Sequence, residues 1–121
     1  MPGIGIDIIE IPRIKQAIDR WGETFLRRVY TEPELKLYRK KPESLAARFA
    51  AKEAVIKALA SKGTAINWQE IEILSGPSGE PYLNLYGETK KKALMLGIDT
   101  FAISLSHSRE YAIAIVTGEA A

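Results

Sequence analysis

The chain has 121 residues, no cysteine and one histidine, with 17 lysines and arginines against 15 aspartates and glutamates. This composition excludes disulfides and thiolate metal sites, and no stretch approaches the roughly 20 apolar residues of a membrane-spanning helix. No charged-then-apolar leader precedes the first strand, so the expectation is a cytoplasmic protein with a modest core in one domain, residues 1–121.

The run from Gly3 to Ile11 is almost continuously apolar, rich in isoleucine and closed by Pro12. It predicts a buried strand. Ile4, Ile6 and Ile8 take one face, and Gly5, Asp7 and Ile9 the other. A buried, unpaired carboxylate is unfavourable or becomes protonated, so Asp7 needs a cation, a hydrogen-bond cluster or a metal. Pro12 then opens a helix whose inner face is Ile14, Ala17, Ile18 and Trp21 and whose outer face carries Arg13, Gln16 and Arg20. Thr31-Glu32-Pro33-Glu34 is a capping box and starts a short helix running to about Tyr38.

After Lys41-Pro42-Glu43-Ser44 comes the longest helix, expected to stop at Lys62-Gly63. Leu45, Phe49, Ile56, Leu59 and Ala60 form its apolar stripe. Glu53 and Lys57 stack one turn apart on the flank, beside the small side chains of Ala46 and Ala50. They read either as an ordinary i,i+4 ion pair on an exposed helix or as a carboxylate and an ammonium left open to a third body.

Ile71, Ile73, Tyr82, Leu83 and Leu85 flank the Ser75–Pro81 turn and predict a wide hairpin. Glu88 to about Leu96 is a further helix, ended by Gly97. Phe101, Ile103 and Leu105 alternate with Ala102, Ser104 and Ser106, a half-buried strand ending at His107. Ser106 and His107 are adjacent on a strand and point to opposite faces, which argues against a nucleophile–base pair. A last strand over about 111–117 pairs with it around Ser108-Arg109-Glu110. The fold class is α+β: a small, largely antiparallel sheet of about five strands with helices packed on one side. The final strand, Ala112-Ile113-Ala114-Ile115-Val116, exposes little that is polar, so its outer face is expected to meet another subunit. With carboxylates, one imidazole and no thiol, any metal site favours a hard ion such as magnesium.

Gly5-Ile6-Asp7, the stretch Arg48 to Glu53 with Lys57, and Ser104-Leu105-Ser106-His107 together resemble the phosphopantetheinyl transferases. Length and motif order are similar to the short, single-domain bacterial holo-[acyl-carrier-protein] synthase family, over roughly residues 3 to 117. Each motif is weak alone; the three in this order and spacing are specific.

The resemblance implies the 4′-phosphopantetheinyl transferase fold and Mg²⁺-dependent transfer of 4′-phosphopantetheine from coenzyme A. The acceptor is a serine hydroxyl of an acidic apo-acyl carrier protein, and adenosine 3′,5′-bisphosphate is left. Asp7 and Glu53 would hold Mg²⁺, with Mn²⁺ able to substitute and water in the remaining positions. Glu10 would point away and is not counted as a ligand. Lys57 would contact the phosphates, Arg48 and His107 the 3′-phosphate of coenzyme A, and Gly79 and Pro81 the adenine. The acceptor's proton could go to Glu53, to metal-bound water or to another base. The short enzymes work as homotrimers with active sites between subunits, so a trimer is implied here.

Charge is uneven along the chain. Residues 1–62 hold thirteen basic side chains against eight acidic, and residues 63–121 hold four against seven. A basic half favours a polyanionic partner. Arg13 and Arg20, two helical turns apart, are the candidate contacts for the acidic carrier. A nucleic-acid or anionic-lipid module would also use this charge but leaves Asp7 and Glu53 without a purpose, and sparse aromatics weaken single-strand binding. A purely structural trimer would explain the last strand but not the buried carboxylate. The expectation is therefore an enzyme that binds neither nucleic acid nor membrane.

Overall fold

A computed structural model describes residues 3–59 and 66–121. In chain order the elements are β1 (Gly3–Glu10), α1 (Ile11–Trp21), α2 (Glu23–Val29), α3 (Glu32–Tyr38) and α4 (Pro42–Ala58). A single 3₁₀ turn (Trp68–Glu70) leads to β2 (Ile71–Ser75), β3 (Pro81–Leu85), α5 (Gly87–Met95), β4 (Thr100–His107) and β5 (Tyr111–Glu119). No helix among the described residues is long and apolar enough to cross a membrane.

The five strands form two antiparallel ladders, β1-β5-β4 and β2-β3, rather than one sheet. Side-chain packing unites them: Leu83 and Leu85 of β3 and Phe101 and Ile103 of β4 meet the same apolar cluster without a shared ladder. Both hairpins have their expected partners, with Ile73 opposite Leu83 and Leu105 opposite Ala114.

Helix α4 lies across the three-stranded sheet and organises the core. Its second half joins Ala50, Ala51, Ala54, Val55 and Ala58 to Ile71, Ile73, Ala114 and Val116. Its first half joins Leu45, Ala46 and Ala47 to Ile14, Leu26, Val29, Tyr30 and Leu35. The alanines allow close approach, and two glycines of β1 complete it. A Cβ on Gly5 would lie 1.8 Å from the carbonyl oxygen of Ala54, and one on Gly3 would lie 2.2 Å from that of Ala58. Only a residue without a side chain fits at either place.

Several expectations are corrected by packing. β1 is covered on one face only: Ile4, Ile6 and Ile8 are 66%, 53% and 59% exposed. Trp21 is exposed rather than inward, because Gly22 (φ 52°) turns the chain straight into α2, whose Leu26 and Val29 enter the core instead. Helix α4 starts at Pro42 and is described to Ala58; Ala60 and the expected stop at Lys62-Gly63 lie outside the described residues. It is buried on most sides rather than along one stripe, since α1–α3 cover what the sheet does not. The Thr31 capping box forms as expected, with Glu34 N–H donating to Thr31 Oγ1 and Thr31 N–H donating to Glu34 Oε1.

Candidate active site

The close contact of β1 with α4 decides where Asp7 goes. Asp7 shares its face with Gly3 and Gly5, so it points at α4 two residues beyond the point of tightest approach. There Lys57 Nζ donates to Asp7 Oδ1 at 3.1 Å and to the Ile6 carbonyl at 2.9 Å. Lys57 therefore pairs across to the strand, and not with Glu53 one turn away on its own helix.

Asp7 and Glu53 line one cleft of about 650 Å³. Burial, then the charge of Asp7, raises the Glu53 pKa above the ordinary carboxylate value, while Lys57 acts in the opposite direction. The two carboxylates facing one cleft form an oxygen-donor pair suited to a hard divalent cation. No group of three or more histidines, aspartates and glutamates among the described residues could hold a metal. Water and phosphate oxygens would have to complete the shell. Glu10 is exposed on the other face of β1.

Arg13, Gln16 and Arg20 of α1 form one wall of this cleft, and Trp21, Phe25 and Phe49 line its apolar part. The arginines thus stand beside the carboxylates, with Ile14 lining the same cleft, rather than on a surface turned away from it. The Arg20 guanidinium lies 5.0 Å from the Trp21 ring centroid. Phe49 stacks on Trp68 at 4.9 Å. Ala46 and Ala50, expected to frame an opening, are fully buried.

The remaining candidates lie elsewhere in the chain. Arg48 is buried against the β2–β3 hairpin. Its Nε donates to the Ile73 carbonyl at 3.1 Å and its Nη2 to Ser75 Oγ at 3.0 Å, with the guanidinium 3.6 Å from the Tyr38 ring centroid. Ser75 is paired with Pro81 at the mouth of the turn containing Gly79 (φ 84°), so Arg48, Gly79 and Pro81 belong to one region. His107 is exposed at the end of β4 and lines a separate cavity of about 360 Å³ with Lys15, Glu43 and Arg109.

One buried cluster escapes the sequence reading. Lys52 is completely buried; its Nζ donates to the Val29 carbonyl and to Glu34 Oε1, both at 2.7 Å, and to the Trp68 carbonyl at 3.1 Å. Glu34 Oε2 accepts from Ile73 N–H at 2.9 Å. Burial pulls the Lys52 pKa down, and the Glu34 charge opposes that. The network ties α2, α3, α4 and β2 together and holds Glu53's helix in place. Its signal was available: Lys52 falls at helical spacing between Leu45 and Leu59, on the apolar stripe itself.

Residues 3–116 match the 4′-phosphopantetheinyl transferase superfamily. A holo-[acyl-carrier-protein] synthase of Dehalococcoides mccartyi is 55% identical over 115 residues, covering 95% of this chain and 96% of the relative. The crystal structure of Helicobacter pylori holo-[acyl-carrier-protein] synthase in complex with coenzyme A superposes with a TM-score of 0.84 at 34% identity, covering 96% of this chain and 99% of that one. A relative from Herpetosiphon aurantiacus with the same name is 49% identical, covering 94% of this chain and 95% of its own. Match length, identity and fold agree, and the chain belongs to the holo-[acyl-carrier-protein] synthase family of 4′-phosphopantetheinyl transferases.

Proposed function

We propose that this enzyme transfers the 4′-phosphopantetheine of coenzyme A to a serine hydroxyl of an acidic apo-acyl carrier protein in the cytoplasm. The products are holo-acyl carrier protein and adenosine 3′,5′-bisphosphate. The observation that carries the reading is that Asp7 and Glu53 share a cleft walled by Arg13 and Arg20, with Lys57 held on Asp7 beside it. Relatives named for this activity and a neighbour bound to coenzyme A support it.

Asp7 and Glu53 are the residues that would hold Mg²⁺, or Mn²⁺ in its place. The ion would neutralise pyrophosphate charge and polarise the attacked phosphorus. Lys57, on an exposed stem, can reach phosphate oxygens and stabilise charge on the leaving group. Glu53, whose pKa burial and the Asp7 charge raise, is one candidate for the serine proton, beside metal-bound water or another base. Arg13 and Arg20 would orient the acidic carrier at the rim.

The protein is further proposed to be a trimer with active sites shared between neighbours. On the sheet face away from α4, Ile6 is paired with Ile115 and Ile8 with Ile113, and Ile4, Ile6, Ile8 and Ile115 are exposed. A continuous apolar patch of this kind marks an interface. A neighbouring subunit seated there would provide the route by which the nucleotide-binding candidates Arg48, Gly79, Pro81 and His107 join a cleft they do not line within one protomer.

Incubation with coenzyme A, Mg²⁺ and an apo-acyl carrier protein, followed by intact mass, tests the activity. Gain of one phosphopantetheine on the carrier supports it; an unmodified carrier with folded enzyme overturns it.

A further inference from the structure

We propose that Lys57 couples metal binding to donor binding: it is a built-in counter-ion for Asp7 that a divalent metal displaces far more readily when a pyrophosphate is present to receive the ammonium. The inference rests on the reading of Asp7 and Glu53 as the metal pair and concerns how this chain guards that pair.

Three observations lead to it. First, the Lys57 ammonium sits on Asp7 Oδ1 at 3.1 Å and is held there by the Ile6 carbonyl at 2.9 Å, so the contact has two anchors. Second, β1 and α4 are packed backbone against backbone at their closest approach. The Gly5 backbone is already seated against the Ala54 carbonyl, which fixes the strand carrying Asp7 relative to the helix carrying Glu53 and Lys57. A divalent ion approaching Asp7 meets an ammonium only a few Å away, and like charges at that range repel strongly in a partly desolvated cleft. Third, the Lys57 side chain is 54% exposed while that of Asp7 is 19% exposed. The carboxylate is fixed, and the flexible lysine is the partner able to leave.

Charge balance gives the direction of the coupling. Asp7 and Glu53 together carry two negative charges when ionised, and Lys57 cancels one. The pair alone suits a divalent ion, but with Lys57 in place the site attracts it much less. A pyrophosphate supplies new acceptors for the ammonium and further oxygen ligands for the metal. Metal and donor therefore enter cooperatively, and by linkage each raises the other's affinity by the same factor. Lys57 thereby becomes a positioning residue for metal entry before it serves the phosphates.

The test is direct binding of Mn²⁺, followed by the spectroscopic signal of free Mn²⁺, to wild type and to Lys57→Met, which keeps the stem and removes the charge. Without coenzyme A, Lys57→Met is expected to bind Mn²⁺ about tenfold more tightly than wild type, within the usual range of coupling between sites. Coenzyme A should tighten Mn²⁺ binding in wild type and do so much less in Lys57→Met. Lys57→Arg, which keeps the charge, should behave more like wild type. If Lys57→Met binds Mn²⁺ no more tightly than wild type, while Asp7→Asn abolishes binding in both, the counter-ion role is overturned and the metal pair survives. If Asp7→Asn leaves Mn²⁺ binding unchanged, or no protein binds Mn²⁺ with or without coenzyme A, the metal reading itself fails and takes this proposal with it.

Discussion

Gly5 lies so close to Ala54 that an added Cβ would stand 1.8 Å from the Ala54 carbonyl oxygen. This contact sets the distance between the strand that carries Asp7 and the helix that carries Glu53 and Lys57. Gly5→Ala should destabilise the fold by about 2 kcal/mol or more, the usual range for overpacking a filled core. It should also reduce transfer activity in the protein that still folds. Urea unfolding with a parallel activity assay checks both; a variant of wild-type stability would mean that β1 can shift freely.

Glu53→Gln keeps the side chain's shape and removes its charge. Turnover should fall by about a hundredfold or more, since the charge stabilisation that the proposed metal would supply is worth several kcal/mol and each 1.36 is tenfold in rate. Circular dichroism should show an intact fold. Near-normal turnover at low Mg²⁺ would remove Glu53 from the metal site.

The same residue predicts a pH dependence of stability. Burial and the Asp7 charge raise the Glu53 pKa above its ordinary 4.5. The folded protein then holds this proton more tightly than the unfolded chain, so stability falls as pH rises from 4.5 through the raised value. Glu53→Gln lacks this penalty. It should be the more stable protein at neutral pH, with the advantage disappearing below the ordinary value. Thermal melts across pH test it, and an advantage that grows as pH falls would contradict the sign.

His107 is exposed and near Lys15 and Arg109, and its proposed task is the 3′-phosphate of coenzyme A. His107→Ala should raise the KM for coenzyme A and matter little with dephospho-coenzyme A, which lacks that phosphate. An identical defect with both donors would end this role. His107 is a cleaner test than Arg48. Arg48→Ala also leaves the buried Ile73 carbonyl without its donor, a loss of about 1–3 kcal/mol in stability.

Arg13→Glu should raise the KM for the carrier protein strongly and leave that for coenzyme A nearly unchanged. Added salt should mimic the substitution in wild type, because exposed charges are screened beyond a Debye length of about 8 Å. Arg13 also lines the cleft with Asp7 and Glu53. Equal effects on both substrates would therefore place it in the active site proper. Ile6→Asp, on the exposed isoleucine face, should dissociate the proposed trimer and abolish activity without unfolding the protomer. Sedimentation of a fully active wild-type monomer would remove the trimer altogether.

Local chemistry was legible in the chain itself. The Thr31 capping box, the two hairpins, the helix bearing Glu53 and Lys57, and the strand placing Gly5 and Asp7 on one face all follow from spacing among near neighbours. The family followed from three such pieces in order. Tertiary structure alone decided what each face meets. Periodicity groups Ile4, Ile6 and Ile8 but cannot say that this face stays uncovered while the glycine face is sealed against α4. It offers Lys57 a partner one turn away, yet the ion pair forms with Asp7, fifty positions earlier in the chain. Spacing puts Lys52 on the apolar stripe of its helix, but only the fold brings Glu34 and two carbonyls from other elements to make its burial tolerable. Contacts between distant segments depend on how closely backbones can approach. In this protein that approach is set by glycine against alanine, at residues whose side chains carry almost no pattern to read.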